Sequence, residues 1–183
     1  MAKAINIDSY CPQEGEAIIF DTNIMIDLFY PMNVGKDTSA VAKLYQRILK
    51  EKAKIYVSSV QVSEFLNRCI RFQFDLYKTE HPECIDFKKD YRGNDDYNNC
   101  MQAILDIVTN EWKGKIQFVD DKFSELSVDN MFISNFAYDF NDAIIAEIAN
   151  KYDAVFVTND GDFISYKFNK PILSLNRVLL ACR

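Results

Sequence analysis

Four carboxylates in this sequence have the residue type and the positions expected of a metal site. They are Asp21, Glu64, Asp142 and Asp160. Ligation by oxygen alone selects hard cations, so the metal expected here is Mg²⁺ or Mn²⁺ rather than zinc. A hard cation on carboxylates suits phosphodiester hydrolysis, in which a metal-bound water attacks phosphorus and the metal stabilises the departing oxygen. The four acids therefore predict a metal-dependent phosphodiesterase site.

Two of these acids come just after the clearest apolar runs in the chain. Asp21 directly follows residues 17–20, AIIF, and Asp160 follows residues 154–158, AVFVT, after one intervening residue. Short continuous apolar runs are typical of strands that are buried on both faces of a parallel sheet. Ligands of such sheets bind outside the carboxyl ends of the strands. Both acids are therefore expected at that edge.

The other two acids stand near the starts of predicted helices. Glu64 lies in the first turns of a helix that Ser58 or Ser59 can cap, off its apolar stripe. Asp142 opens a helix predicted over residues 141–152. Helix N-termini that follow strands lie at the same edge of a parallel sheet, so all four carboxylates are expected to meet there.

Each acid taken alone also has an ordinary structural explanation. An Asp at a strand-to-loop junction is usually a turn or a cap, and Asp142 suits a helix N-terminus without any function. Asp139 is expected to be an N-cap only. Four converging carboxylates, however, repel one another, which costs stability unless protons or a metal offset the charge. We therefore favour the metal site.

Polar and basic residues beside the acids are expected to support them. Thr22, Asn23 and Thr158 can orient carboxylates or a metal-bound water, with local turn hydrogen bonds as the alternative. Arg68 and Arg71 follow Glu64 by four and seven positions on one helical face and are predicted to contact phosphate groups of a substrate. For Arg68 an ordinary i,i+4 ion pair with Glu64 is the alternative.

The order of elements predicts an α/β fold with a mostly parallel sheet covered by helices on both faces. Strands are predicted at 17–20, 55–57, 116–119, 154–158 and 172–175. Helices are predicted after 38, after 58, over 101–112, over 141–152 and at the C-terminus, with further helix broken near 81–82 and 92–94. We expect one domain over 1–183, with an N-terminal extension at 1–16 and a helical insertion at about 72–110.

Composition excludes several other classes of protein. The chain lacks an apolar run of roughly 20 residues and a secretion signal, so a cytoplasmic protein without a membrane segment is expected. Five scattered cysteines form neither a disulfide framework nor a zinc pattern. His81 is the only histidine, which excludes acid/base chemistry by two histidines. The net charge of −6 argues by itself against nucleic acid, although a bound cation reverses the field locally.

Four segments of the chain resemble the PIN-domain nucleases, and most closely the toxin ribonucleases of the VapBC type. They are IIFDTNIMIDLF at 18–29, SSVQVSEFLNR at 58–68, DFNDAIIAEIA at 139–149 and AVFVTNDGDF at 154–163. The resemblance implies a three-layer α/β/α sandwich and a Mg²⁺- or Mn²⁺-dependent endoribonuclease that leaves 5′-phosphates. The family's acidic quartet matches Asp21, Glu64, Asp142 and Asp160, with Asp162 as a frequent fifth acid. Such toxins commonly form homodimers and are held inactive by an antitoxin.

Two departures and three rival interpretations accompany this resemblance. The chain begins before the first strand of the family pattern, and the stretch between Glu64 and Asp142 is longer than in compact members. A phosphatase of the haloacid dehalogenase type needs a second acid where Asn23 stands, and a receiver domain lacks its acidic pair here. A non-catalytic PIN-like module that binds RNA or serves as a scaffold ranks second, because all four acids are present.

Overall fold

A computed structural model describes residues 3–32, 37–132 and 139–181. In these residues the strands are β1 Ala4–Asn6, β2 Ala17–Phe20, β3 Lys54–Val57, β4 Ile116–Phe118, β5 Val155–Val157 and β6 Ile172–Ser174. They form one sheet in the order β1-β6-β5-β2-β3-β4. Every described pairing of neighbouring strands is parallel. The predicted α/β class with a parallel sheet is therefore confirmed.

The helices connect these strands. They are α1 Thr22–Phe29, α2 Ser39–Lys50, α3 Ser59–Glu80, α4 Asp95–Asp106, α5 Val128–Met131, α6 Phe140–Lys151 and α7 Arg177–Ala181. Short 3₁₀ turns lie at Ile7–Ser9, Phe123–Glu125 and Gly161–Ser165, and π-helical turns at Phe87–Tyr91 and Ile107–Glu111. Among the described helices, none combines the length and apolar character needed to cross a membrane.

Two hydrophobic clusters lie on the two faces of the sheet, and β2 contributes to both. Successive side chains of a strand point to opposite faces. Ile18 and Phe20 pack with buried residues of α1, α2, α3 and α4. Ile19 packs on the other face with Phe156 and with buried residues of α5 and α6. The sheet is thus covered on both faces, as the predicted three-layer sandwich requires.

The central position of β2 brings the predicted active-site segments together. Phe20 is in register with Val157 of β5, and Ile19 with Tyr56 of β3. The backbone N–H of Asp21 also donates to the carbonyl of Val157, at 2.8 Å. The residues that follow these three strands consequently lie side by side at the carboxyl edge of the sheet.

The N-terminal extension is part of the sheet. Its strand β1 pairs with β6, and Ile7 just after β1 is fully buried. An Arg47 Nη2 atom of α2 donates to the Ile7 carbonyl at 2.7 Å, which ties the extension to the body of the fold. The sequence predicted an N-terminal extension at 1–16 and did not predict this strand.

The helical insertion follows the predicted breaks. Helix α3 continues to Glu80 and ends at His81, and α4 begins after Asn94, whose side chain accepts from the Tyr97 N–H at 2.7 Å. Between these helices, Phe87 makes ring contacts with Phe74 of α3. The insertion therefore packs along the second half of α3.

Candidate active site

Asp21 lies at the carboxyl end of β2 and is 3% exposed. Thr158 Oγ1 donates to its Oδ2 atom at 2.7 Å, and Asn23 Nδ2 donates to the same oxygen at 3.4 Å. The pKa of Asp21 is raised to about 6, mainly by burial and also by the negative charge of Glu64, although the hydrogen bonds from Thr158 and Asn23 act to lower it. The surroundings of Asp21 therefore disfavour its ionised form, which a bound cation would stabilise.

Glu64 reaches the same edge from the second turn of α3. Thr22 Oγ1 donates to its Oε2 atom at 2.8 Å, and Arg68 Nη1 lies 3.4 Å from its Oε1 atom. The start of α3 is fixed by the buried side chain of Gln61, which accepts from the Ser58 N–H at 3.1 Å and donates to the Phe20 carbonyl. Gln61 thereby sets the position of Glu64 relative to the end of β2.

Asp142 reaches the edge from the first turn of α6, on the opposite layer. Its N–H donates to Asp139 Oδ1 at 3.0 Å, and the Asp139 N–H donates back to Asp142 Oδ2 at 3.3 Å. Burial raises the pKa of Asp142 to about 7, with further contributions from the charges of Asp139, Asp21 and Glu64. Asp21, Glu64 and Asp142 therefore lie close enough to repel one another, while Asp139 caps α6 as expected.

Asp160 is joined to this group through Thr158. Thr158 Oγ1 accepts from the Asp160 N–H at 2.9 Å while it donates to Asp21. The Asp160 side chain accepts from the Asp162 N–H at 2.9 Å and lines an open cleft of about 330 Å³. Asp162 itself is exposed. Asp160 is thus linked to Asp21 through Thr158 and lines a cleft whose lining residues do not include Asp21, Glu64 or Asp142.

Asp27 lines the same cleft, on the turn of α1 after Asn23. Sequence reasoning missed both Asp27 and Gln61. The spacing of four between Asn23 and Asp27 would have placed Asp27 on the cleft side once α1 was recognised, because residues four apart share a helical face. For Gln61 the signal was its position three residues after the helix-capping Ser58.

The carboxylates fit a hard divalent cation in their chemistry. They offer oxygen donors, and a cation would offset the burial and mutual repulsion that raise the pKa values of Asp21 and Asp142. In the part of the chain that the structure describes, no three Asp, Glu, His or Cys side chains are already arranged to hold a metal ion. Glu64 and Asp142 instead accept hydrogen bonds from protein donors. The four-carboxylate metal site therefore stays a prediction.

The predicted supporting residues make two kinds of contact. Thr22, Asn23 and Thr158 each donate to a carboxylate of the group. Arg68 forms the i,i+4 contact with Glu64 that was the alternative to phosphate binding. Arg71 lies over the ring of Phe87, with 3.8 Å between the guanidinium carbon and the ring centroid, so it faces the insertion.

The chain was compared with protein families, with curated proteins and with solved structures. The family model described as PIN domain matches residues 18–169. No match was found among curated proteins. Among solved structures, the chain is similar to VapBC2 from Rickettsia felis bound to a DNA fragment from their promoter, with 19% identity, a TM-score of 0.49, and coverage of 86% of this chain and 98% of that chain. A likeness this low says nothing about what this chain binds.

The family match includes helices on both faces of the sheet and all four predicted acids. PIN domains are generally nucleases and typically depend on divalent metal ions. Since the match covers most of the chain, this protein belongs to the PIN-domain family.

Proposed function

We propose that this chain is a Mg²⁺- or Mn²⁺-dependent endoribonuclease that hydrolyses RNA phosphodiester bonds. The observation that carries the proposal is the convergence of Asp21, Glu64 and Asp142 from three separate segments, with pKa values of Asp21 and Asp142 raised by burial and mutual repulsion. Carboxylates that only cap helices would gain nothing from lying near other carboxylates that repel them. Membership of a nuclease family supports the same assignment.

Four acids would hold the metal ion, with Asp162 at the rim of the site. They are Asp21, Glu64, Asp142 and Asp160. When bound, the cation supplies an activated water for attack on phosphorus and positive charge for the departing oxygen. Glu64 and Asp142 would exchange their present hydrogen bonds with protein donors for the cation.

Neighbouring side chains hold these carboxylates in place. Thr158 fixes one oxygen of Asp21 and the backbone of Asp160 with a single hydroxyl group. Thr22 fixes Glu64, and Asn23 adds a long hydrogen bond to Asp21. Arg68 is proposed to contact an RNA phosphate; its side chain is 43% exposed, so it is accessible to a substrate at the site.

The resemblance to VapBC-type toxins supports a cellular role. We propose that the protein is the toxin of a toxin–antitoxin pair, that it is cytoplasmic, and that it forms a homodimer held inactive by an antitoxin. Light scattering of the purified protein tests the homodimer. Co-purification with the product of a neighbouring reading frame, with loss of cleavage in the complex, tests the antitoxin.

Cleavage of RNA in the presence and absence of metal tests the proposed activity. We expect Mg²⁺ or Mn²⁺ to support cleavage, EDTA to stop it, and the products to carry 5′-phosphates. Cleavage that survives exhaustive chelation, or products with 2′,3′-cyclic phosphates, would overturn the mechanism. RNA binding without any cleavage would favour the non-catalytic RNA-binding module instead.

A further inference from the structure

A second cavity, of about 280 Å³, lies between α3 and the helical insertion, and cationic side chains from both line it. Arg71 comes from α3, and Lys88 and Arg92 come from the insertion. Asn67 and Phe87 add an amide and an aromatic ring to the lining. We call this space the basic cavity. The lining also includes the apolar side chains of Leu66, Ile70 and Met101. Three cations around one concave space match the charge of a phosphate group.

Among the residues that the structure describes, the acidic residues of the insertion form no ion pair with the cations of the basic cavity, although the backbone N–H groups and the charges of Lys88 and Lys89 help to lower the pKa of Asp86. Asp86 accepts from the N–H groups of Lys88 and Lys89 at 2.8 and 2.9 Å, and Asp90 accepts from those of Ile85 and Asp86 at 2.9 and 2.7 Å. These carboxylates therefore cap backbone turns. Within the described residues, none of the three cavity cations takes part in an ion pair. Arg71 and Arg92 thus keep their charge for an anion, and Lys88 shares its field with Asp86.

Arg71 is held in position before any ligand binds. Its guanidinium carbon lies 3.8 Å from the centroid of the Phe87 ring, and Phe87 is itself packed against Phe74 and Tyr91. A cation–π contact of this kind restrains a long side chain. Less conformational entropy is then lost when the guanidinium binds a phosphate, which favours affinity.

Helix α3 connects the basic cavity to the acidic site. Glu64 and Arg71 are seven residues apart, so they share a face of α3 and are separated by about 10 Å along its axis. A strand of RNA at the carboxylates would reach the cavity with a neighbouring phosphate. We propose that the basic cavity binds a backbone phosphate of the RNA substrate next to the one that is cleaved, an inference that rests on the proposed RNA substrate.

The test measures binding of a fluorescein-labelled oligouridylate to the full chain in EDTA, where cleavage is stopped. The variant Lys88→Gln/Arg92→Gln removes two exposed cavity cations. The control Lys89→Gln/Lys113→Gln removes the same charge from exposed positions outside the cavity. We expect the cavity variant to bind roughly tenfold more weakly. The dependence of log affinity on log salt should fall by roughly 0.7, as for one lost phosphate contact on a single strand.

Cleavage kinetics add an independent readout. Because the cavity variant leaves the carboxylates untouched, its KM should rise while kcat stays close to that of the control. RNA affinity equal to that of the control would overturn the inference. Unchanged RNA affinity with lost binding of polyglutamate would overturn it in favour of an acidic protein partner. Weakened RNA binding in a protein that cleaves no RNA with either metal would support the cavity and refute the proposed activity.

Discussion

Thr158 joins two acidic segments through one hydroxyl group. It is fully buried, donates to Asp21 at 2.7 Å and accepts from the Asp160 N–H at 2.9 Å. One side chain at the end of β5 therefore orients the carboxylate that ends β2 and the loop that carries Asp160. At the residue scale, the site depends on such donors as much as on the acids themselves.

The raised pKa values of two acids predict how stability depends on pH without metal. The pKa is about 7 for Asp142 and about 6 for Asp21, against an ordinary value of 3.8. Between these values the folded protein holds protons that the unfolded chain has released. The contribution of these groups to the free energy of unfolding therefore falls as pH rises from 3.8 to about 7.

The variant Asp142→Asn should remove this effect for one of the two groups. Asparagine keeps an oxygen that can accept from the Asp139 N–H, so the capping contact can persist. In EDTA near pH 8 (about one unit above the raised pKa) we expect an unchanged or higher melting temperature, by roughly 2–4 °C for each kcal/mol of relieved repulsion. The exposed Asp106→Asn serves as the control. A variant that fails to fold would identify Asp142 as a structural cap.

Sequence patterns predicted the elements whose apolar residues repeat clearly. Helices α2, α3 and α6 lie where their apolar stripes predicted them, and the strands from β2 to β6 lie where short apolar runs predicted them. Helix α1 was missed because Ile24, Met25 and Ile26 are consecutive and all buried, which leaves no single apolar stripe. Strand β1 was missed because it has three residues and forms only through pairing with the distant β6.

At the element scale, Gln61 fixes helix α3 to the end of β2, so its loss should affect both stability and the site. Gln61→Ala leaves the Ser58 N–H and the Phe20 carbonyl without this partner in a buried place. We expect a loss of about 1–3 kcal/mol in the free energy of unfolding, measured by urea denaturation, and weaker metal binding. The exposed Gln102→Ala should change stability by less than about 0.5 kcal/mol. Equal effects of the two variants would rule out this role for Gln61.

Across the whole molecule, tertiary structure separates charges that are mixed in the sequence. The net charge of −6 argued against RNA. In addition to burial, the charges of Asp21 and Glu64 nevertheless act on Asp142 strongly enough to help raise its pKa, and three cations line the basic cavity beside α3. The chain segments involved are far apart in sequence, so composition alone could not predict this distribution. That Asp21 lies beside the segment carrying Asp160 could be predicted, because the carboxyl ends of parallel strands share one edge. The metal site itself stays a prediction.

The N-terminal segment should contribute to the stability of the whole domain. Ile7 is fully buried and lies just after β1, the strand that pairs with β6. Ile7→Ala should cost about 2–5 kcal/mol, since it opens a cavity in the core. Ile85→Ala, at a site that is 82% exposed, is the matched control and should cost less than about 0.5 kcal/mol. A negligible loss for Ile7→Ala in chemical denaturation would mean that the segment is dispensable.

The central claim, that acids from separate segments form one metal site, is tested most directly by titrating the protein with Mn²⁺ in a calorimeter near pH 8. The wild-type protein and Asp106→Asn should show the same saturable binding. Asp142→Asn should bind roughly tenfold more weakly or not at all, because it removes a charged oxygen ligand while the fold is retained. Mn²⁺ binding by Asp142→Asn that equals the wild type, or no binding by the wild type, would contradict the account.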